Sequence, residues 1–187
     1  MNFREIVEAD RSYRRFQQGR AIEKSVLEEL VNLARISASS ANLQPLKYKL
    51  SCDADTNARI FPYLNWAGYL TEWVGPEKGE RPAAYIVVLG DTEISRHFGY
   101  DPGIASQTIL LGAAEKGLGG CMIGSLDRRG LADALDISGR YEILLVLAMG
   151  IPDETVRLTE ATDSIRYYRD EQDEHVVPKR PLSEVIL

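Results

Sequence analysis

The sequence predicts an α+β fold, and three observations lead there. Ala83–Asp91 ("AAYIVVLGD") and Tyr141–Gly150 ("YEILLVLAMG") are apolar runs of strand length. Glu23–Ile36 and Asp101–Gly117 carry helical patterns. The two element types are mixed without the regular βα alternation of a doubly wound sheet.

Taken in order, Phe3, Ile6, Val7 and Ala9 have helical spacing, which "DRSYRRF" (Asp10–Phe16) then breaks. The second helix, over about Glu23–Ile36, carries one wide apolar face: Val26, Leu27, Leu30, Val31, Leu33 and Ala34. "ISASSANLQP" follows as a loop that Pro45 keeps from continuing the helix. Leu46–Cys52 alternates as a strand, and Asp53–Phe61 predicts a short helix. "NWAGYLTEWVGPEKGERP" reads as a surface excursion whose aromatics tuck back onto the domain. After the strand at Ala83–Asp91, Asp101 suits a helix N-cap, Pro102 a first turn and Gly117 a stop. That helix is apolar nearly all round, so it should be buried. Leu118–Ser125 is a glycine-rich extended piece, Asp127–Leu135 a short helix, and Tyr141–Gly150 the strongest strand. The polar tail should form two extended pieces around a turn at Asp170–Glu174 and end on an apolar "EVIL" that docks onto a surface.

The 187 residues suffice for one domain over residues 1–187 with a sizeable core. With 28 acidic and 22 basic side chains, the net charge of -6 argues against a nucleic-acid or membrane-surface partner. Cys52 and Cys121 form no CxxC pair and read as free thiols, while His97 and His175 lack metal-like neighbours in sequence. No GxSxG elbow supports a serine hydrolase. Met1–Asp10 shows no signal peptide, and the apolar run Ile143–Met149 is too short to span a bilayer, so the cytoplasmic compartment is expected.

Four segments could carry chemistry. "RSYR" offers two guanidinium forks and a hydroxyl, a set suited to a phosphate monoester, with Arg11 and Arg14 on one side of a helical turn and Phe16 as a core anchor. "SASSANLQP" presents short hydroxyls and backbone N–H groups that can lie against a planar heterocycle. "GLGGCMIG" lets a ligand approach the backbone but lacks the context of a Rossmann fingerprint. "VPKRP" adds Lys179 and Arg180. Taken singly, each reads first as something plainer: a solvated turn, a linker, a tight connection, a solvated tail.

Their order and spacing together resemble the FMN-dependent nitroreductase family. Arg11, Ser12, Arg14 and Phe16 match R-S-x-R-x-F, and Ser39, Asn42, Gln44 and Pro45 match the family's serine loop. Gly117, Leu118, Gly119, Cys121, Ile123 and Gly124 match G-L-G-x-C-x-I-G, and Lys179 and Arg180 match a basic tail element. Asp10 stands where the family often carries a base.

The resemblance implies a largely antiparallel central sheet flanked by helices, in an intertwined homodimer whose tail, about 165–187, wraps the partner subunit. It implies an FMN-dependent oxidoreductase that takes electrons from NADH or NADPH and reduces a nitroaromatic, quinone or related acceptor by ping-pong transfer. The other reading is a protein that stores or senses FMN without turnover. Arg11, Ser12, Arg14, Lys179 and Arg180 would hold the phosphate, the backbone at Ile123 and Gly124 would face the flavin, and Ser39, Ser40 and Asn42 would complete the partner's site. No catalytic side chain and no metal are expected, Arg15 is expected to be structural, and Tyr63–Trp73 to wall the acceptor pocket.

Overall fold

A computed structural model describes residues 1–187. Helix α1 (Phe3–Ala9) opens with a capping box: Asn2 accepts from the Glu5 backbone and Glu5 returns the bond. It leads through an extended segment to α2 (Lys24–Arg35). Strand β1 (Leu46–Ser51), helix α3 (Ala54–Ile60) and strand β2 (Ala84–Asp91) follow, then α4 (Asp101–Glu115), β3 (Gly119–Ile123), α5 (Arg128–Ala134) and β4 (Tyr141–Gly150). The tail holds β5 (Val156–Glu160), β6 (Tyr168–Arg169) and β7 (His175–Lys179).

The central sheet has the order β1-β2-β4-β3, antiparallel at every pairing. Its middle strands are apolar on both faces because both are covered. Ala84, Ile86, Val88, Leu147 and Met149 face one core, closed by α2 and α4. Tyr85, Val87, Leu89, Val146 and Ala148 face another with Ile60 and Leu131 from α3 and α5. The period-2 alternation of a strand thus feeds two cores from one apolar run. The α+β expectation holds, and the only parallel pairing between strands, β5 with β7, lies in a separate three-stranded tail sheet. No helix is long and apolar enough to cross a membrane.

Three local expectations are corrected. "RSYR" is extended rather than a helical turn: Ser12 bridges in parallel to Gly120, and the Tyr13 N–H donates to the Gly120 carbonyl at 3.0 Å. Two glycines admit this segment. A Cβ on Gly119 would stand 2.4 Å from the Tyr13 ring, and one on Gly150 would stand 2.8 Å from Phe16. Phe16 is the fully buried anchor the pattern predicts. Secondly, the tail carries a strand the sequence reading does not include, β5, whose short Val156/Leu158 alternation takes its register from β7 rather than from a core. Thirdly, Asp101 does not cap its own helix, whose N-cap is Tyr100.

Asp101 is buried and holds the serine loop instead. Ser39 Oγ donates to its Oδ2 at 2.6 Å and the Ser40 N–H to its Oδ1 at 2.9 Å. The clamp opposes real strain, since Ala41, Asn42 and Gln44 sit at φ of 50°, 55° and 52°. Left-handed backbone at a non-glycine residue costs on the order of 1–2 kcal/mol.

The excursion behaves as expected. Trp66 packs on Phe61 with ring centroids 5.9 Å apart, and Trp73 lies beneath the Arg15 and Arg169 guanidinium groups at 5.9 and 5.4 Å. The tail pairs with its own chain through β7, while Leu182 and Val185–Leu187 stand exposed.

Replacing Asp101 by Ala strips two partly buried hydrogen bonds from the loop. Urea denaturation should show a loss of about 1–3 kcal/mol, and limited proteolysis new cleavage within 36–45. An unchanged midpoint with an unchanged digest would contradict the clamp.

Candidate functional site

The extended N-terminal segment and the tail meet over β3 and α4 to enclose a cavity of about 400 Å³. Its polar lining includes Asp10, Arg11, Ser12, Arg14, Gln107 and Lys179, and Val7, Leu110, Met122, Tyr167 and Val177 give it apolar wall. A cleft of this size with a few convergent polar groups is the usual form of a small-molecule site.

Glu154 assembles it. This carboxylate is 2% exposed and accepts from the Arg169 guanidinium at 2.6 Å. It also accepts from the backbone N–H groups of Arg14 and Arg15, the latter at 3.1 Å. One buried acid therefore ties the first motif to the tail. A buried carboxylate is tolerable only when paired in this way.

Arg14 is 8% exposed. It donates through NH1 to the Ser12 carbonyl at 3.1 Å and meets His175 Nε2 at 3.1 Å, with its guanidinium 4.8 Å from the Tyr167 ring centroid. Arginine can only donate, so Nε2 must accept and the proton must sit on Nδ1. His175 Nδ1 is buried and has no partner. His175 is 1% exposed, and its pKa is pushed down to about 4, first by burial and then by the charge of Arg14. Tyr167 packs between His175 and Tyr69, at 5.1 and 4.9 Å.

Arg11 donates to the Val7 carbonyl at 2.6 Å and leaves its buried Nε unpartnered. Asp10, the acid in a cationic site, accepts from Gln107 Nε2 at 2.6 Å, and burial raises its pKa against that hydrogen bond and the charge of Arg11. Arg11, Arg14 and Lys179 form no ion pair with any carboxylate of the chain, whereas Arg15 is paired to Glu80 at 3.4 Å and to Asp173. Three uncommitted cations, a hydroxyl and an orphaned guanidinium N–H suit an anion of more than one charge.

The sequence-derived residues are thus partly brought together. Arg11, Ser12, Arg14 and Lys179 line one cavity. Arg180 does not join them; it pairs with Glu184 at 3.0 Å. In β3 it is Met122 that lines the cavity, while Ile123 enters the opposite core. Gly124 follows the strand, its carbonyl accepting from Arg128 at 3.1 Å. Ser39 lines a second cavity of about 320 Å³ with Asp101 and Ala105, which shares no residue with the first. Ser40 lies beside it, and the exposed Asn42 has its carbonyl bonded by Gln44. Asp101 and Leu110 lie about 13 Å apart along α4. Glu154, Tyr167, Arg169 and His175 were missed. Their partners lie up to 161 residues away, and no local motif marks them.

Residues 7–151 match the model of the nitroreductase family. No curated protein matches the chain. Among solved structures, a nitroreductase family protein from Streptococcus pneumoniae aligns with TM-score 0.74 at 15% identity, over 100% of this chain and 99% of that one. One from Clostridium difficile aligns with TM-score 0.71 at 22% identity, over 100% and 98%. An FMN-dependent nitroreductase, also from C. difficile, aligns with TM-score 0.66 at 21% identity, over 85% and 91%. At such identities these structures share the fold.

His175 gives a signed pH dependence. Its folded pKa of about 4 lies below the ordinary 6.5, so between these values the unfolded chain binds the proton that the folded one refuses. Stability should fall as pH drops from 6.5 to 4, by up to about 3 kcal/mol from this group. Denaturation curves across that range should show a smaller loss in His175→Phe; an equal loss would contradict the neutral buried imidazole.

Proposed function

The chain belongs to the nitroreductase family, and from that premise we propose that it is an FMN-dependent oxidoreductase using NADH or NADPH to reduce a nitroaromatic, quinone or related acceptor. The observation that carries this reading is the cavity's set of unpaired cations, Arg11, Arg14 and Lys179, beside the Ser12 hydroxyl. The donor set fits a phosphate monoester, and the neighbouring Leu110, Met122 and Tyr167 fit an apolar body attached to it.

When bound, FMN supplies the two-electron chemistry between nicotinamide and acceptor. The chain's own residues bind and orient. Arg14 reaches the anion preset, because Ser12, His175 and Tyr167 already fix its guanidinium. Such preorganisation lowers the ordering cost of binding. Arg11 offers its unpartnered Nε and Lys179 a mobile point charge. Asp10 is turned to Gln107, whose Nε2 donates to it at 2.6 Å, and burial raises its pKa against that bond and the charge of Arg11.

The serine loop supports a homodimer. Ser39 and Ser40 are tied to Asp101 and Asn42 is held at a left-handed φ of 55°, away from the cavity of their own chain. In a dimer each loop would complete the other subunit's site, and the exposed apolar end at Val185–Leu187 would find cover there.

The test is flavin retention followed by donor mixing. Arg14→Ala should weaken FMN binding by at least ~10-fold, by loss of a charge-assisted bond of about 1.5–3 kcal/mol. Arg15→Ala and Arg180→Ala should weaken it little. Anaerobic NADH or NADPH should bleach the bound flavin. Equal losses at Arg14 and Arg15 would contradict the clamp, and flavin bound but reduced by neither donor would replace the enzyme with a store or sensor.

A further inference from the structure

A second built pocket lies away from the cationic cavity, between α3 and the start of β2. It encloses about 310 Å³ and shares no lining residue with the cavity that holds Arg11 and Arg14. Its lining contains one cation, Arg81, and no acidic side chain, in a chain whose acids outnumber its bases by six. The Arg81 guanidinium lies 4.0 Å from the Phe61 ring centroid, and its Nε is buried without a partner. Unlike Arg15, Arg140 or Arg169, it has no carboxylate. The Tyr85 side chain also lines the pocket, and its hydroxyl makes no hydrogen bond within the chain. Its pKa is raised by burial and moderated by the charge of Arg81, which places the two groups within electrostatic reach. Ala54, Ala58, Phe61 and Pro82 supply apolar wall.

We propose that this pocket binds a small monocarboxylate with a flat apolar body, of the benzoate class, through Arg81 and Tyr85. A guanidinium held over an aromatic ring and without a carboxylate partner keeps N–H groups for a planar carboxylate, which such a fork can meet bidentately. A phenolic hydroxyl beside it donates one more bond. A single cation matches a single negative charge, which separates this pocket from the phosphate-suited cavity with its three. The apolar wall rewards an aromatic or branched body over acetate. Arg81 pays nothing to leave an acid on binding, because it has none.

The protein as purified, with whatever flavin it carries, is titrated with benzoate by calorimetry and by ligand-observed NMR. Saturable binding with Kd on the order of 0.1–5 mM is expected for so small a ligand. Benzamide, of the same shape but uncharged, should bind at least ~10-fold more weakly to the unaltered protein, a contrast of one charge-assisted pair. Arg81→Met should cost at least ~10-fold and Tyr85→Phe roughly threefold, in line with a charged and a neutral hydrogen bond. Inorganic phosphate, drawn to the other cavity, should leave benzoate binding unchanged. No saturable binding up to about 50 mM benzoate would overturn the proposal, the affinity then being too weak for a formed site. Equal binding of benzamide, or displacement of benzoate by phosphate, would overturn it too. The benzamide comparison needs no variant, so a misfolded Arg81→Met would leave the proposal open to refutation.

Discussion

The Glu154 carboxylate is the constraint on which the candidate site depends. It accepts from the backbones of Arg14 and Arg15 and from the guanidinium of Arg169, and it is almost wholly buried while doing so. A segment near the N-terminus and a tail near the C-terminus are thereby held as two walls of one cavity. Removing the carboxylate would leave the Arg169 charge and two N–H groups without their partner, a larger penalty than the bonds are worth in themselves. Further out, Arg15 pairs with Asp173 and stacks over Trp73, and Arg169 covers the same ring. These outer contacts brace the wall and leave Arg14 free to face inward.

The central sheet contributes by what it leaves out. Glycines at 119 and 150 lack the side chains that would collide with Tyr13 and Phe16, so the N-terminal segment lies flat against β3 and the end of β4. Phe16 then anchors it in the core. The strand alternation of β3 sends Met122 to the cavity and Ile123 to the opposite core. His175 completes the arrangement from β7. As a neutral acceptor it fixes the orientation of Arg14, at the cost of a buried Nδ1 that has no partner. An unsatisfied buried N–H costs about 1–3 kcal/mol, and strain of that kind concentrates at functional sites.

Much of the fold was legible because it is written locally. The two cores follow from apolar runs long enough to fill both faces of β2 and β4, and α2 from one wide apolar face. β5 was illegible because its alternation, Val156 and Leu158 with Arg157 and Thr159, is short and set in a polar tail; its partner β7 supplies the register. Asp101 looked like a cap because local chemistry favours that reading, yet its bonds go to a loop some 60 residues earlier. Within the site, Arg11, Ser12, Arg14 and Lys179 could be found by motif and their convergence could not. Glu154 and His175 carry no motif, and their roles exist only through partners distant in the chain. Arg180, adjacent to Lys179, turned out to face elsewhere because neighbouring residues of an extended chain point to opposite sides.

The central claim is that the cavity between the first motif and the tail is a phosphate clamp for a flavin. Comparing FMN with riboflavin tests it most directly, because the two ligands share the ring and ribityl chain and differ in the phosphate alone. The account predicts that the purified apoprotein binds FMN at least ~100-fold more tightly than riboflavin, the sum of two or more charge-assisted bonds. It further predicts that Lys179→Ala narrows that ratio without changing riboflavin affinity. Equal affinities for the two ligands would contradict it.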